Sequence, residues 1–352
     1  MDSSPIRVLV VDDSAFMRKV IGNMLSSDSR ISVVAAARNG DEALAQVKAL
    51  KPDVMTLDIE MPGMNGLDVL RHVMEEMPLP VIMVSSLTEE GARQTLTALD
   101  LGAVDYIPKH LQGSAINIVT IQRDLIEKVV MAYQVRPKLA QLARRTSTGR
   151  PVSSNVNFMG NSGRGCKLVA IGCSTGGPKA LQEILPLFPK DFPAPILVVQ
   201  HMPKFFVGPF AQRLNELSEI EVREGEADDI LKPGLALIAP GGVQMKVGRR
   251  NALEVVLKLS TEPAMLHMPS VDVMMTSVAQ VFHERAIGVI LTGMGQDGME
   301  GMKAIKVSRG RTIAQDETSC VIYGMPKAVV DSGVVDKIVP LDKIAGEIAN
   351  MV

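Results

Sequence analysis

Residues 169–181 read VAIGCSTGGPKAL, and this stretch contains the transition that defines the fold around it. An apolar run stops at a serine set among glycines, and a proline then opens a segment of helical character. Proline is favoured in the first turn of a helix, because its missing N–H would have no helical partner there. The stretch therefore predicts a strand, a tight turn and a helix in succession, which is the repeating unit of parallel α/β sheets.

The same alternation continues through the C-terminal half of the chain. The runs that we interpret as strands, separated by helical segments, are KLVAIG, PILVVQ, LALIAP, LEVVLKL, AIGVILTG and RTIAQD. They predict a Rossmann-like α/β domain with a doubly wound parallel sheet at residues 166–352.

The N-terminal half shows a second series of this kind, at residues 6–109. Its strand candidates are IRVLVVDD, ISVVAAA, DVMTLDI, PVIMVSS and AVDYIPK, and they predict a flavodoxin-like doubly wound parallel sheet in a first domain at residues 1–125. Residues 126–165 begin with helical character and end in RRTSTGRPVSSNVNFMGNSGRG, which lacks apolar periodicity. We interpret them as a helical and flexible linker.

Composition narrows the class of protein. The chain has 352 residues, of which 46% are hydrophobic and 22% charged, which is typical of soluble globular domains. A net charge of −2 gives no electrostatic reason to expect nucleic acid or an anionic membrane as a partner. The N-terminus lacks signal-peptide features, no apolar run is long enough to insert into a membrane, and the 3 cysteines lack metal-ligand spacing. We therefore expect a cytoplasmic protein.

Polar side chains follow the strands of the first domain. Asp12 and Asp13 end the first strand, Asp58 the third, Ser85 the fourth and Lys109 the fifth. Carboxyl ends of parallel strands meet at one edge, so three carboxylates would converge there, which suits Mg²⁺. Carboxylates, a metal, a hydroxyl and an ammonium together favour phosphoryl transfer. The alternative is a set of unrelated solvated residues at strand ends.

The motifs VLVVDDSAFMR, DVMTLDIEMPGMNGLDVL, VIMVSS and DYIPK are similar to the receiver domain of bacterial response regulators, over residues 5–125. The resemblance implies that Asp58 accepts a phosphoryl group from a histidine kinase and that Asp12 and Asp13 hold Mg²⁺ together with it. It also implies that Lys109 contacts the acyl phosphate and that Ser85 and Tyr106 are the switch residues. His110 departs from the pattern, because receivers usually carry proline there.

The serine of the opening stretch has three interpretations. GCSTG at residues 172–176 fits the G-x-S-x-G pattern of a nucleophile elbow, in which a strained turn exposes a serine. Ser174 can instead cap the helix that starts near Pro178. A phosphate loop is the third interpretation, although G-K-[ST] is missing.

Possible partners of Ser174 decide between these interpretations. His201 follows PILVVQ at a strand end, whereas His267 lies in a loop and His283 in a helical stretch. Asp297 lies in a glycine-rich turn after another apolar strand. Ser174, His201 and Asp297 would converge at one edge as nucleophile, base and orienting acid. Backbone N–H groups at Thr175 and Met294 are candidates for an oxyanion hole.

Six motifs, in order, resemble the chemotaxis protein-glutamate methylesterase family, CheB: AIGCSTGGPKAL, VVQHMP, APGG, PSVDVMMTSVA, ILTGMGQDGMEGM and AQDETSCVIYGMP. The resemblance implies hydrolysis of glutamate methyl esters on chemoreceptors with release of methanol, deamidation of receptor glutamines, the same triad and no cofactor for the ester reaction. Cys173 replaces the alanine common before the serine, and we interpret it as a small buried side chain.

Two other functions compete with a phosphorylation-activated hydrolase. One is a regulator with a transcriptional output, which the absence of a basic helix-turn-helix segment disfavours. The other is a receptor-binding protein without turnover, which the filled triad positions disfavour.

Overall fold

The structure is a computed structural model that describes residues 4–109, 115–146 and 167–352. The chain divides into two compact units, Met1–Val152 and Ser153–Val352. Residues 126–146 of the predicted linker belong to a helix, while residues 147–165, Cys166 and His110 lie outside the described residues. The domain boundaries inferred from the sequence stay predictions.

The N-terminal unit alternates strands and helices. They are β1 (Ile6–Val11), α1 (Ala15–Ser26), β2 (Ile31–Ala37), α2 (Gly40–Leu50), β3 (Val54–Asp58), α3 (Gly66–Glu76), β4 (Val81–Ser85), α4 (Glu89–Asp100), β5 (Asp105–Pro108) and α5 (Ala115–Thr146). The strands form a parallel sheet of order β2-β1-β3-β4-β5. The predicted flavodoxin-like fold is confirmed, and β1 and β3 are neighbours in the sheet.

Local sequence explains how these elements begin. Strands β3 and β4 are buried at every residue, as expected for parallel strands covered by helices on both faces. The helices α1 to α4 each begin after a polar residue whose side chain accepts a backbone N–H of the first turn. These caps are Ser14, Asn39, Asn65 and Thr88.

The C-terminal unit contains a second series of elements. They are β6 (Leu168–Cys173), α6 (Gly177–Ile184), β7 (Ile196–Gln200), α7 (Lys204–Leu217), β8 (Glu221–Glu224), β9 (Leu235–Ile238), β10 (Gln244–Arg249), β11 (Val255–Ser260), α8 (Val271–Phe282), β12 (Ala286–Ile290), α9 (Met299–Val307), β13 (Arg311–Gln315), α10 (Met325–Asp331), β14 (Lys337–Val339) and α11 (Leu341–Met351). Seven strands form a parallel sheet of order β14-β13-β12-β6-β7-β9-β8. The predicted α/β fold of this unit is confirmed.

One strand of this unit lies outside the parallel sheet. LEVVLKL, which the sequence places in the main series, corresponds to β11, and β11 pairs antiparallel with β10 as a separate hairpin. The sequence analysis missed β8, β10 and β14. Strands β8 and β14 are short, partly charged edge strands, and β10 alternates polar and apolar residues, so their hydrophobic signal is weak.

The centre of the C-terminal sheet is packed closely against helix α8. A Cβ atom at Gly172 of β6 would lie 2.3 Å from Val271 Cγ1, so only glycine lets the first residue of α8 approach the strand. Val271 is fully buried. This contact places the N-terminus of α8 beside the end of β6.

No helix within the described ranges combines the length and the apolar character that crossing a membrane requires.

We expect Gly172→Ala to destabilise the C-terminal unit by about 1–3 kcal/mol, because overpacking a rigid core displaces α8. Gly346→Ala is the matched control: it lies inside α11, and a Cβ atom there meets nothing within 4 Å. The control should stabilise by about 0.5–1 kcal/mol through helix propensity. Urea unfolding of the full chain followed by circular dichroism measures both, and equal midpoints for the two variants would contradict the close approach of α8.

Candidate active sites

The predicted hydrolytic residues lie at the carboxyl edge of the C-terminal sheet. Strand β6 lies between β7 and β12, and the register pairs Cys173 of β6 with Gln200 of β7. The next residues, Ser174 and His201, therefore leave the sheet side by side. Asp297 lies in the loop between β12 and α9. This edge, between strands whose connections run in opposite directions, is where ligands bind in open α/β sheets.

Ser174 lies in a sharp strand-to-helix turn. Its N–H donates to the Thr292 carbonyl at 3.1 Å, and its carbonyl accepts the Gly177 N–H at 2.8 Å. Gly176 has a φ of +79°, and a Cβ atom there would lie 2.7 Å from Val321. Gly176 itself is the helix cap, and no side chain caps α6. The interpretation of Ser174 as the cap is therefore wrong.

His201 and Asp297 form a hydrogen bond. Nε2 of His201 lies 2.8 Å from Oδ2 of Asp297, and both side chains are largely buried. The His201 N–H also donates to the Cys173 carbonyl at 3.2 Å, which ties the histidine to the strand of Ser174. Since Asp297 holds Nε2, Nδ1 is the nitrogen left to take a proton from a nucleophile.

Asp297 accepts four hydrogen bonds. Oδ2 accepts from Val271 N (2.8 Å) as well as from His201, and Oδ1 accepts from Ser270 Oγ (2.8 Å) and Asp272 N (3.0 Å). Burial alone would raise the pKa of Asp297, but the bond and charge of His201 and the backbone donors of α8 hold this pKa well below its ordinary value. The acid therefore stays ionised and fixed in orientation.

The sequence analysis missed the residues that hold Asp297. Ser270 caps α8, and Oδ1 of Asp272 accepts from Gly298 N (2.9 Å) and Gly301 N (2.7 Å) at the start of α9. Ser270 and Asp272 thus connect the start of α8 to the turn that carries Asp297. The signal was present in PSVDVMM, where a serine precedes an apolar helix with an acid in its first turn.

The other two histidines of this unit differ in their surroundings. The ring of His267 stacks on that of His201, with centroids 4.1 Å apart and planes inclined by 8°. The sequence places His267 in a loop and does not predict this contact. His283 is exposed at the end of α8.

The turn after β12 lies against the serine. A Cβ atom on Gly293 would lie 3.0 Å from both N and Cβ of Ser174. Thr292 Oγ1 donates to the Thr175 carbonyl at 3.0 Å and accepts the Ile322 N–H at 2.9 Å. Thr175 and Met294 therefore belong to two backbone turns that are fixed beside Ser174.

Cys173 is fully buried, and its burial raises the pKa of the thiol. A thiol that stays protonated is a poor nucleophile. The prediction of a small buried side chain at this position is confirmed.

The N-terminal unit brings its acidic residues together. Asp12, Asp13 and Asp58 each offer an oxygen within 4.8 Å of the others. Asp12 and Asp58 are buried, and Asp13 is exposed. Lys109 Nζ lies 2.5 Å from Asp58 Oδ2 and 3.4 Å from Asp12 Oδ2. One ammonium thus pairs with two of the three carboxylates.

The pKa values of the buried acids in this cluster are raised, whereas that of Asp297 is lowered. Burial, with a smaller contribution from the charge of Asp12, raises the pKa of Asp58 to about 6 against the opposing effect of Lys109. Burial likewise raises the pKa of Asp12. Excess negative charge in a buried place is relieved by a hard divalent cation, and carboxylate oxygens are the ligands that such cations prefer. The donor set fits Mg²⁺.

The remaining residues of this edge lie on β4 and β5. Ser85 Oγ donates to the Gly91 carbonyl in α4 at 3.1 Å. Tyr106 is buried, and burial raises the pKa of its hydroxyl well above the ordinary value. Lys128 of α5 donates to the Tyr106 carbonyl at 2.7 Å and lies 5.2 Å from its ring centroid. Nothing in the sequence pattern singled out Lys128.

Comparison with known proteins finds a separate family match for each half of the chain. The model of the CheB methylesterase family matches residues 169–348, and that of the response regulator receiver domain matches residues 8–119. A protein-glutamate methylesterase/protein-glutamine glutaminase 2 of Nitratidesulfovibrio vulgaris is 50% identical over 372 residues, which cover 98% of this chain and 99% of the relative. A protein-glutamate methylesterase/protein-glutamine glutaminase of Pyrococcus abyssi is 46% identical, covering 96% and 91% respectively.

A solved structure gives the same result for the C-terminal unit. The crystal structure of the Thermotoga maritima CheB methylesterase catalytic domain is 41% identical with a TM-score of 0.52, and it covers 53% of this chain and 100% of that chain. Since the family model and near-full-length relatives agree, this chain belongs to the CheB methylesterase family and carries a response regulator receiver domain in its N-terminal half.

Proposed function

We propose that this chain is a phosphorylation-activated protein-glutamate methylesterase that also deamidates glutamine, acting on methyl-accepting chemoreceptors during sensory adaptation in a chemotaxis pathway. Family membership and relatives named for both activities support the reaction. The observation that carries the mechanism is the hydrogen bond between His201 and Asp297, beside the turn that holds Ser174.

The ester reaction follows from the roles of these three residues. Ser174 Oγ attacks the carbonyl carbon of the glutamyl methyl ester, and His201 Nδ1 takes the hydroxyl proton. The backbone N–H groups of Thr175 and Met294 stabilise the oxyanion of the tetrahedral intermediate. When the intermediate collapses, His201 gives its proton to the leaving methoxide and methanol departs.

Deacylation returns the enzyme to its starting state. Water attacks the acyl-serine carbonyl, His201 again takes a proton, and the glutamate carboxylate is released as Ser174 is reprotonated. Asp297 stays ionised and stabilises the imidazolium at each step. With a glutamine substrate the leaving group is ammonia, and the same residues suffice.

The receiver unit supplies control. In the proposed reaction a carboxylate oxygen of Asp58 attacks the phosphorus of a phosphohistidine in the partner kinase, the P–N bond breaks and the kinase imidazole leaves. Lys109 neutralises charge on the acyl phosphate that forms. Asp12, Asp13 and Asp58 would hold Mg²⁺, which when bound offsets the negative charge of the phosphoryl group. Ser85 and Tyr106 respond to the phosphorylated state. We place these reactions in the cytoplasm.

The first test is methanol release from methylated receptor membranes, with and without acetyl phosphate and Mg²⁺. We expect release that rises with the phosphodonor in the wild type and is lost in Ser174→Ala. A coupling of about 1–3 kcal/mol between phosphorylation and hydrolysis corresponds to roughly 5–150-fold activation. Release that persists in Ser174→Ala would refute the nucleophile, and release that ignores the phosphodonor would refute the switch.

Asp297→Asn should lower kcat by roughly 10³–10⁴-fold, because an amide cannot stabilise the imidazolium and orients the ring in the wrong tautomer. Asp342→Asn, the same change at an exposed acid of the same unit, is the control and should leave kcat unchanged. Initial rates of methanol release at saturating substrate compare the two. Comparable rates in both variants would show that His201 does not depend on Asp297.

Mg²⁺ should stabilise the N-terminal unit, and more so at pH 8 than at pH 5. The folded-state pKa of Asp58, about 6 without a cation, lies above its ordinary value of 3.8, so ionising this group costs stability as pH rises from about 4 to 6. Mg²⁺ offsets that cost only where the carboxylates are ionised. At 100 times its Kd the ion should add about 2.7 kcal/mol.

Thermal unfolding with Mg²⁺ or with EDTA measures this difference. Asp12→Asn should remove most of the Mg²⁺ effect, whereas Asp41→Asn, at an exposed acid of α2, should retain it. An equal Mg²⁺ effect in both variants would place the ion elsewhere.

A further inference from the structure

Gln200, the last residue of β7, joins the chain segments that carry the nucleophile and the base. Its side chain is buried, with 3% of the residue exposed. Nε2 donates to the carbonyl of Ser174 at 3.1 Å and to the carbonyl of His201 at 3.0 Å. A single side-chain nitrogen therefore holds the main chain of both residues just beyond the sheet.

The amide group of Gln200 is fully used. Both N–H bonds of Nε2 go to carbonyl oxygens, so the amide cannot be reversed without placing oxygen against oxygen. Oε1 lies 3.1 Å from Cys173 Sγ, which donates to it as a thiol because burial raises the pKa of that group. A buried amide whose polar atoms all have hydrogen-bond partners avoids the cost of burying an unpaired polar group, and its hydrogen bonds hold it in one orientation.

The surrounding backbone is shaped to admit this amide. A Cβ atom on Gly177 would lie 2.0 Å from Gln200 Oε1 and 2.9 Å from Cys173 Cβ. Glycine at the start of α6 thus leaves the space that the amide occupies. Beyond the ends of β6 and β7, one backbone hydrogen bond joins the two segments, from the His201 N–H to the Cys173 carbonyl.

We propose that Gln200 is a positioning residue that sets the separation of Ser174 and His201, and that Cys173 orients its amide. The inference rests on the proposed function, because it assumes that these two residues exchange a proton. Gln200 acts through the backbone and touches no substrate. A displacement of about 1 Å between reacting groups costs on the order of 10²-fold in rate, so loss of this brace should reduce kcat while substrate binding is retained.

The test compares Gln200→Leu and Gln200→Glu with wild type in the full chain. Gln200→Leu removes both donors, and Gln200→Glu keeps the shape but presents a carboxylate to two carbonyl oxygens. Thr312→Val is the matched control, because on β13, away from the triad, it removes a buried hydroxyl that donates to the Val334 carbonyl. Cys173→Ser retains a donor and should keep most of the activity.

Two readouts separate positioning from mere stability. The first is kcat and KM for methanol release at a temperature where circular dichroism shows every variant folded. The second is the rate of labelling by a fluorophosphonate, in which a bond forms between Ser174 Oγ and phosphorus, fluoride leaves, and His201 takes the hydroxyl proton. Labelling requires Ser174 and His201 but no receptor substrate.

We expect both Gln200 variants to lose about 10–100-fold in kcat and in labelling rate, with KM changed less than about twofold. Thr312→Val should melt earlier yet label at the wild-type rate. Wild-type labelling by a folded Gln200→Leu overturns the inference, and if that variant does not fold, Gln200→Glu decides in the same way. The methanol assay keeps the two proposals apart. If the wild type releases no methanol from methylated receptor membranes, the proposed function fails, while the labelling rates still test Gln200; release that persists in Ser174→Ala refutes the nucleophile.

Discussion

The parallel pairing of β6 with β7 on one side and β12 on the other is the constraint on which the proposed hydrolytic site depends. Three segments far apart in sequence leave one edge of the sheet because their strands are neighbours. Glycine at position 172 then lets α8 approach β6, and the N-terminus of α8 supplies the donors that hold Asp297. The orientation of His201 follows from that acid.

A buried carboxylate at the edge of the sheet has opposite electrostatic surroundings in the two units. Asp297 accepts hydrogen bonds from helix α8 and from His201, which outweigh the cost of burial and keep it charged. Burial, with a smaller contribution from the charge of Asp12, raises the pKa of Asp58 against the opposing effect of Lys109, and the cluster offers carboxylate oxygens that fit a divalent cation. The first arrangement suits a permanent orienting group, and the second suits an acid whose charge state is changed by a ligand.

Much of this was readable in the linear sequence. Continuous apolar runs ending at Asp12, Asp58, Ser174 and His201 identified buried parallel strands and the polar residues at their ends. Short or alternating strands such as β8 and β10 were not found, since edge strands carry little hydrophobic signal. LEVVLKL, which forms β11 of a hairpin, was predicted as a strand of the main series because apolar runs do not encode the direction of pairing.

The sequence alone determined the fold class of both halves, the acidic cluster of the first and the three candidate catalytic residues of the second. It could do so because apolar runs mark the strands, and the carboxyl ends of parallel strands meet at one edge of the sheet. Only the tertiary structure decided what holds those residues. These contacts join residues that lie more than twenty positions apart in the sequence, so no local pattern records them. They are the contacts of Ser270 and Asp272 with Asp297, of His267 with His201, of Gln200 with Ser174, and of Lys128 with Tyr106. Contacts of that kind depend on the distance between packed elements, and this distance exists only once the sheet and its helices have assembled.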